Sequence, residues 1–389
     1  MEGFTTFPMR VWLNLAARPA AMTTPFLRVT RTHPDGRLPL LFAPELFELQ
    51  GALPYELTPQ LITGNVGLFV QTAQLFPPEV APVIELNCGC PSPNSVGKHA
   101  GSGILRDPNA FGASIAALVA ALGPRRLAVK MRLGVSDSSE FGPLLQHIAA
   151  LSLARLTVHG RTRVDRYRGA ARWDLIQHAA SVACMPTWAS GDICGLDTAT
   201  QIQSTAPSIA GAVIGRGLLR NPWVFEELRL GAYQQLTIPT LANALLCYAL
   251  LNELCMTSPA KLIAKVARGH FVGFCGTSAS NWESVTAELS TMIGGYPFTL
   301  NGRSSHSSLA DLKISPTTFA RLRMLWSYLR TSLPSQFFAP MLMRARSCSE
   351  FFGQLFALSE EAGISQMPVV LRHQPAWDDL FGGARGTNI

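Results

Sequence analysis

The chain has 389 residues, 48% hydrophobic and 15% charged, which excludes a mainly disordered or coiled-coil protein, since both need more charge and less apolar surface. At roughly 100–200 residues per domain, the length predicts two domains or one large domain with an appendage. A net charge of +7 is compatible with a polyanionic partner without requiring one.

In chain order, short apolar runs followed by Gly or polar residues predict strands at Met22–Val29, Gly67–Gln71, Val83–Leu86, Leu127–Met131, Arg155–Val158, Thr187–Ala189 and Ala212–Ile214. Helical stretches such as Asn109–Leu122, Glu140–Leu151 and Trp173–Val182 lie between them. This alternation predicts a parallel sheet covered by helices. The seven strands fall one short of a (β/α)8 TIM barrel. Polar residues gather just after the strand ends: Asn87 and Cys90, Lys130 and Arg132, His159 and Arg161, Gly191 and Asp192, Gly215 and Arg216. In a barrel these positions form the loops of the C-terminal face, where active sites sit.

Beyond about Thr237 the strand signal stops. Pro239–Leu254, Ser315–Leu333 and Arg344–Leu358 read as helices, and Cys255–Leu312, rich in Ser, Thr and Gly, as an insertion. The expected division is a barrel over 1–236, an all-helical region over 237–375 and a loose tail over 376–389. No run of about 18 apolar residues predicts a membrane span. Val11–Ala17 echoes a signal peptide, but Asn14 interrupts the run and Glu2 spoils a basic leader. The eight cysteines show no Cys-x-x-Cys spacing, so neither a metal site nor disulfides are expected, and the expected compartment is the reducing cytoplasm.

Five motifs carry a resemblance: Leu86-Asn-Cys-Gly-Cys-Pro-Ser92, Gly101-Ser-Gly-Ile-Leu105, Val129-Lys-Met-Arg-Leu-Gly134, Val158-His-Gly-Arg-Thr162 and Ile214-Gly-Arg-Gly217. Their order and spacing resemble the tRNA-dihydrouridine synthases, flavoenzymes that reduce a uracil ring in tRNA. The Asn-Cys-Gly-Cys-Pro-Ser form and the ending Trp326-Ser-Tyr-Leu-Arg330 are most similar to the C branch. The resemblance covers roughly residues 1–230 and 313–360. It implies FMN as cofactor, NADPH as reductant, tRNA as partner, a D-loop uridine (position 16 being the candidate) as substrate, and a monomer.

A free Cys is most often a small buried hydrophobe, but Cys90 lies in a Gly-Cys-Pro turn after a strand, where packing rarely demands a thiol. A thiol with the ordinary pKa of about 8.5 is mostly protonated at neutral pH and can donate. The resemblance makes Cys90 the general acid that protonates C5 as hydride reaches C6. Lys130 ends an apolar strand and is costly there unless it meets a charge; the resemblance places it at the flavin N1/O2 edge. It also places His159 against the flavin and its phosphate side, and Gln71 at the isoalloxazine ring. Met1 and Glu2 match part of the first flavin motif, Ala-Pro-Met-Glu-Gly.

Ser190, Gly191 and Asp192 follow one predicted strand and Gly215 and Arg216 the next, with Asn221-Pro222 read as the start of a helix. Loops in these positions form the usual phosphate site of such barrels, where glycines admit backbone N–H groups and Arg216 adds charge. FMN fits better than a dinucleotide, because no Gly-x-Gly-x-x-Gly follows a strand. The family usually has Asn where this chain has Ser190. For RNA, Lys313–Arg346 carries Lys313, Arg321, Arg323, Arg330, Arg344 and Arg346 and no acid, a pattern suited to phosphates. The resemblance puts tRNA contacts on Arg321, Arg323, Tyr328 and Arg344, and on Arg28, Asn87 and Arg168 in the barrel. A flipped-out base is the expected mode.

Three departures accompany the match. The numbering begins at Met1-Glu2-Gly3, inside the first flavin motif and without the first barrel strand. Only a short, Pro-rich stretch separates Gln71 from Asn87, barely enough for a parallel crossover. The Cys255–Leu312 segment is extra. Two rival readings stay open: an FMN barrel oxidoreductase acting on a free small molecule, and an RNA-binding pseudoenzyme that has lost its flavin.

Overall fold

The computed structural model describes residues 4–31, 42–48, 53–97, 99–271, 275–293, 314–333, 340–360 and 368–372. Met1 and Glu2 lie outside them, as do Lys313 and the whole of the tail 376–389. Seven parallel strands form one sheet in sequential order: β1 (Ala21–Arg28), β2 (Glu56–Ile62), β3 (Ile84–Cys88), β4 (Leu127–Arg132), β5 (Arg155–His159), β6 (Thr187–Ser190) and β7 (Gly211–Val213). Helices fill the crossovers, so this is a curled, incomplete (β/α)8 TIM barrel. Among the described residues β1 and β7 are its two ends.

Parity decides what each strand presents. Leu86, Val129, Met131, Leu156, Val158 and Ala189 are buried on one face, as the helix-covered face of a parallel barrel requires. The alternate residues, Glu85, Asn87, Lys130, Arg132, Arg155, Thr157, His159, Trp188 and Ser190, share the other face. Register aligns Asn87 with Lys130 and Thr157, and Arg132 with His159 and Ser190. The polar half of each strand therefore converges in rows.

The expected strand Gly67–Gln71 is instead a helix, Val66–Ala73, capped by Asn65, whose Oδ1 accepts from the Leu68 N–H at 2.9 Å. The strand at this place in the order is β2. Pro59 hid it, because Pro within a run argues against a strand. The structure accommodates Pro59 opposite a register shift between Thr23 and Phe26, where Thr24 Oγ1 accepts from the Gln60 N–H. The crossover to β3 then runs from Ile62 to Ile84 around a helix, and the expected shortage of chain there disappears.

Helix starts follow local chemistry. Asp107 caps Pro108–Leu122, Thr237 caps Ile238–Thr257 and Ser315 caps Pro316–Leu329, each with Pro in the first turn. Asn221-Pro222 does not start a helix as expected: Asn221 ends Arg216–Arg220, and the next helix begins at Val224. The described part of the supposed insertion is helical, with Pro259–Ala267 and Ala279–Met292 packed on Ile238–Thr257. Its Ser and Thr residues obscured that, because they favour caps and turns in isolation.

Ile238–Thr257 is long and apolar enough to cross a membrane, but 89% of its apolar window is buried inside the protein. It is the axis on which the N-terminal helix Phe7–Ala17 packs, through Trp12, Tyr248, Trp223 and Trp282. The Trp12 Nε1–H also donates to Ala244 O at 2.6 Å. One continuous apolar core thus joins the barrel and the helical region.

Candidate active site and RNA-facing surface

Cys90 sits one turn beyond β3, half-buried, on main chain held from three sides. Asn87 Oδ1 accepts from the N–H groups of Gly89 (2.9 Å) and Cys90 (3.0 Å). Arg132 Nε donates to Gly89 O at 2.8 Å. Cys90 O accepts from Ser102 Oγ at 2.9 Å and from the Ser102 N–H at 3.0 Å. Ser95 Oγ lies 3.6 Å from the sulfur. Gly101 packs so closely that a Cβ there would come within 2.8 Å of Cys90 O, and its φ of +57° also favours glycine. The thiol is thus presented by a braced turn.

Beside it lies a cluster of cations. The Lys130 ammonium makes no hydrogen bond among the described residues, and burial pushes its pKa down, with Glu85 opposing. Arg132 is 3% exposed; its guanidinium bonds only carbonyls, those of Gly89, Thr162 and Arg166. Burial, and then the charges of Arg132, Lys130, Arg161 and Arg216, hold the His159 pKa well below the ordinary 6.5, so its imidazole is neutral. Arg161 grips Asp192 with one nitrogen at 2.6 and 2.7 Å. The carboxylate of Asp192 also accepts from the Ala171 N–H.

Two buried nitrogens here, Arg161 Nη1 and His159 Nδ1, have no hydrogen-bond partner among the described residues. Gly191 borders both side chains: a Cβ there would sit 3.6 Å from Arg161 Nη1 and 3.7 Å from His159 Nε2. Its φ of +116° favours glycine. Gly217 lies against Ile193 O so closely that any Cβ is excluded. Arg216 stacks on the Tyr167 ring at 4.0 Å, and Arg132 lies 5.6 Å from the same ring. Backbone cradle, an unmatched arginine donor and excess positive charge are the chemistry of a phosphate-bearing, anionic group. The residues present therefore fit FMN.

The structure brings together Cys90, Asn87, Lys130, His159, Ser190, Gly191, Asp192, Gly215 and Arg216, which lie in the C-terminal halves of strands, in the loops that follow or, for Arg216, at the start of the next helix. It does not bring Gln71 there, since that residue is exposed on the helix Val66–Ala73. Gln60 of β2 is the glutamine in the site: its Oε1 accepts from Asn87 Nδ2 at 2.8 Å. Sequence reading also passed over Tyr167, Glu85 and Arg155. The available signal was parity, since Glu85-Leu-Asn87 and Arg155-Leu-Thr157-Val-His159 alternate polar with apolar.

Arg28 ends β1, half-buried beside Phe26. Arg168 is exposed on the loop after β5. The basic helix is less uniform than its sequence suggests. Arg321 turns inward to Asn252 Oδ1 at 3.0 Å, while Arg323 is exposed and donates to Met343 O. Arg330 lies in a following 3-10 turn, half-buried, and Arg344 is exposed. Tyr328 meets Phe4 edge-on at 5.6 Å, on a helix that packs against Arg216–Arg220.

Residues 1–295 match the sequence model of the family described as dihydrouridine synthase (Dus). A probable tRNA-dihydrouridine synthase of Rickettsia prowazekii is 34% identical over 170 residues, covering 43% of this chain and 51% of the relative. A tRNA-dihydrouridine synthase B of Pseudomonas syringae is 30% identical, covering 48% of this chain and 55% of the relative. A tRNA-dihydrouridine(16) synthase of Haemophilus ducreyi is 33% identical, covering 51% and 61%. The chain spans about half the length of the curated relatives it matches. With its family motifs gathered around one braced, cationic cluster and the family model matched over most of its length, the chain belongs to the dihydrouridine synthase family.

Proposed function

We propose that this chain is an FMN-dependent tRNA-dihydrouridine synthase that reduces the 5,6 double bond of a D-loop uridine, position 16 being the expected target. The observation that supports it most is a braced thiol, Cys90, beside a buried cationic cluster in which the nitrogens Arg161 Nη1 and His159 Nδ1 lack partners among the described residues. Lys130, His159, Ser190, Gly191, Asp192, Gly215 and Arg216 would hold FMN, with Gln60 in the place expected for Gln71. When bound, FMN supplies the hydride for C6, replenished from NADPH.

This chain's own residues do the rest. Lys130 and Arg216 balance negative charge on the bound group. Asn87 holds the Cys90 turn, and the Cys90 thiol gives its proton to C5. Arg28, Arg168, Arg321, Arg323, Tyr328 and Arg344 are proposed tRNA contacts, with Arg168, Arg323 and Arg344 standing most open. The division into 1–236, 237–375 and a tail belongs to the same proposal, as does action on tRNA by a monomer in the cytoplasm.

The test is the visible spectrum of the purified chain, followed by a dihydrouridine assay on tRNA lacking the modification. Oxidised-flavin bands near stoichiometry and conversion of one D-loop uridine are expected. A protein that stays colourless after added FMN overturns the reading, and one that still binds tRNA in that state favours the pseudoenzyme.

A further inference from the structure

We propose that Glu85 is a positioning residue for the acid: through Gln60 and Asn87, its carboxylate sets the orientation of the main chain that carries Cys90. The inference rests on Cys90 being the proton donor. The contacts are continuous. Arg155 Nη2 lies 3.3 Å from Glu85 Oε2. Gln60 Nε2 donates to Glu85 Oε1, and Asn87 Nδ2 donates to Gln60 Oε1 at 2.8 Å. Asn87 Oδ1 then accepts from the N–H groups of Gly89 and Cys90.

A primary amide has a donor end and an acceptor end of nearly the same shape, so Gln60 and Asn87 could each be turned over without steric cost. A carboxylate only accepts. Glu85 therefore draws the Gln60 nitrogen toward itself and leaves the Gln60 oxygen for Asn87. That in turn draws the Asn87 nitrogen inward and leaves its oxygen facing the two main-chain donors. Turned over, Asn87 would set its own donors against those N–H groups, and the bonds would be lost. Arg132 and Ser102 hold the carbonyls of Gly89 and Cys90. The N–H side of the turn depends on Asn87.

Arg155 makes the relay directional. Its guanidinium, stacked on Trp188 at 4.5 Å, can only donate. In Glu85→Gln the new amide turns its oxygen to Arg155 and its nitrogen to Gln60, and each amide above must invert. Adding Gln60→Glu restores the original sense, because a carboxylate at 60 accepts from both neighbours.

Hydrogen exchange of the peptide spanning Cys88–Ser92, read by mass spectrometry on the flavin-free protein, tests this without any turnover. Glu85→Gln should speed exchange at Gly89 and Cys90 about tenfold or more, with amides of β4 and β5 unchanged. Gln60→Met, which leaves the Glu85–Arg155 pair intact, should do the same. The Gln60→Glu/Glu85→Gln pair should return protection to within about threefold of the parent. Unchanged exchange in the two single variants overturns the proposal. So does a paired variant that melts like the parent yet stays unprotected. Reduction of tRNA should fall in Glu85→Gln, the variant that leaves Gln60 in place. Protection lost with turnover unchanged would remove Cys90 from the reaction, which is the failure of the underlying reading.

Discussion

Arg10, on the helix Phe7–Ala17, and Arg161, just past β5, are both buried arginines bound to a carboxylate, yet their surroundings differ. Every Arg10 nitrogen has a partner: Glu45 takes two, and the carbonyls of Thr5 and Phe42 complete the set. Burial works against that charge, and Glu45 with Tyr55 outweighs it. Arg161 keeps one nitrogen unmatched and shares its pocket with Lys130, Arg132, His159 and Arg216. A closed set of contacts holds a fold together. An open set with surplus positive charge makes room for an anion.

Four experiments can break or sharpen that contrast, from the largest effect to the smallest. Cys90→Ala should leave flavin bound and lower tRNA reduction by about 10²–10⁴-fold, the usual worth of a general acid. Persistent turnover would strip the pocket of its catalytic half. Arg10→Met strands Glu45 as an uncompensated buried charge and should cost about 3–5 kcal/mol in urea melts, with flavin binding by the folded fraction untouched. If FMN affinity falls as well, the two regions are not separate in role.

Arg216→Gln should do the reverse. Folding stability changes little, while FMN binding followed by fluorescence quenching weakens about tenfold, the scale of one charge-assisted contact. Equal affinity for parent and variant would take Arg216 out of the phosphate site.

The smallest effect is a pH dependence. His159 has a folded pKa well below 6.5, so the unfolded chain binds the extra proton first. Its contribution to stability is present above about pH 6.5 and is lost as pH falls toward the folded value, by at most about 1.4 kcal/mol per pH unit. Urea midpoints of flavin-free protein should decline over that window, and His159→Gln should flatten the decline. Bound phosphate should also reduce it, since an anion there favours the protonated ring.

Much of the site could be read along the chain. Asn87, Cys90, Lys130, His159, Gly191 and Arg216 stand directly at or after apolar runs, and local alternation is enough to place a residue at the end of a strand. Gln71 shows the limit. A short apolar run, Leu68-Phe-Val70, suits a strand and a buried helix face equally well. What decided between them was Pro59, tolerated in β2 only because Thr24 on the neighbouring strand takes the Gln60 N–H at a register shift.

The helix caps at Asp107, Thr237 and Ser315 and the chemistry of the Gly-Cys-Pro turn are local properties, and a few neighbouring residues of the sequence are enough to fix them. Tertiary structure alone decided which charges remain unmatched. Arg321 and Arg323 are two residues apart in one basic segment, yet one is turned in to Asn252 and the other lies open. Likewise Glu85, Gln60, Asn87 and Arg155 are scattered over three strands and become a single relay only in register. Pairing of charge and direction of hydrogen bonds depend on neighbours far away in the chain, which is why no local pattern encodes them.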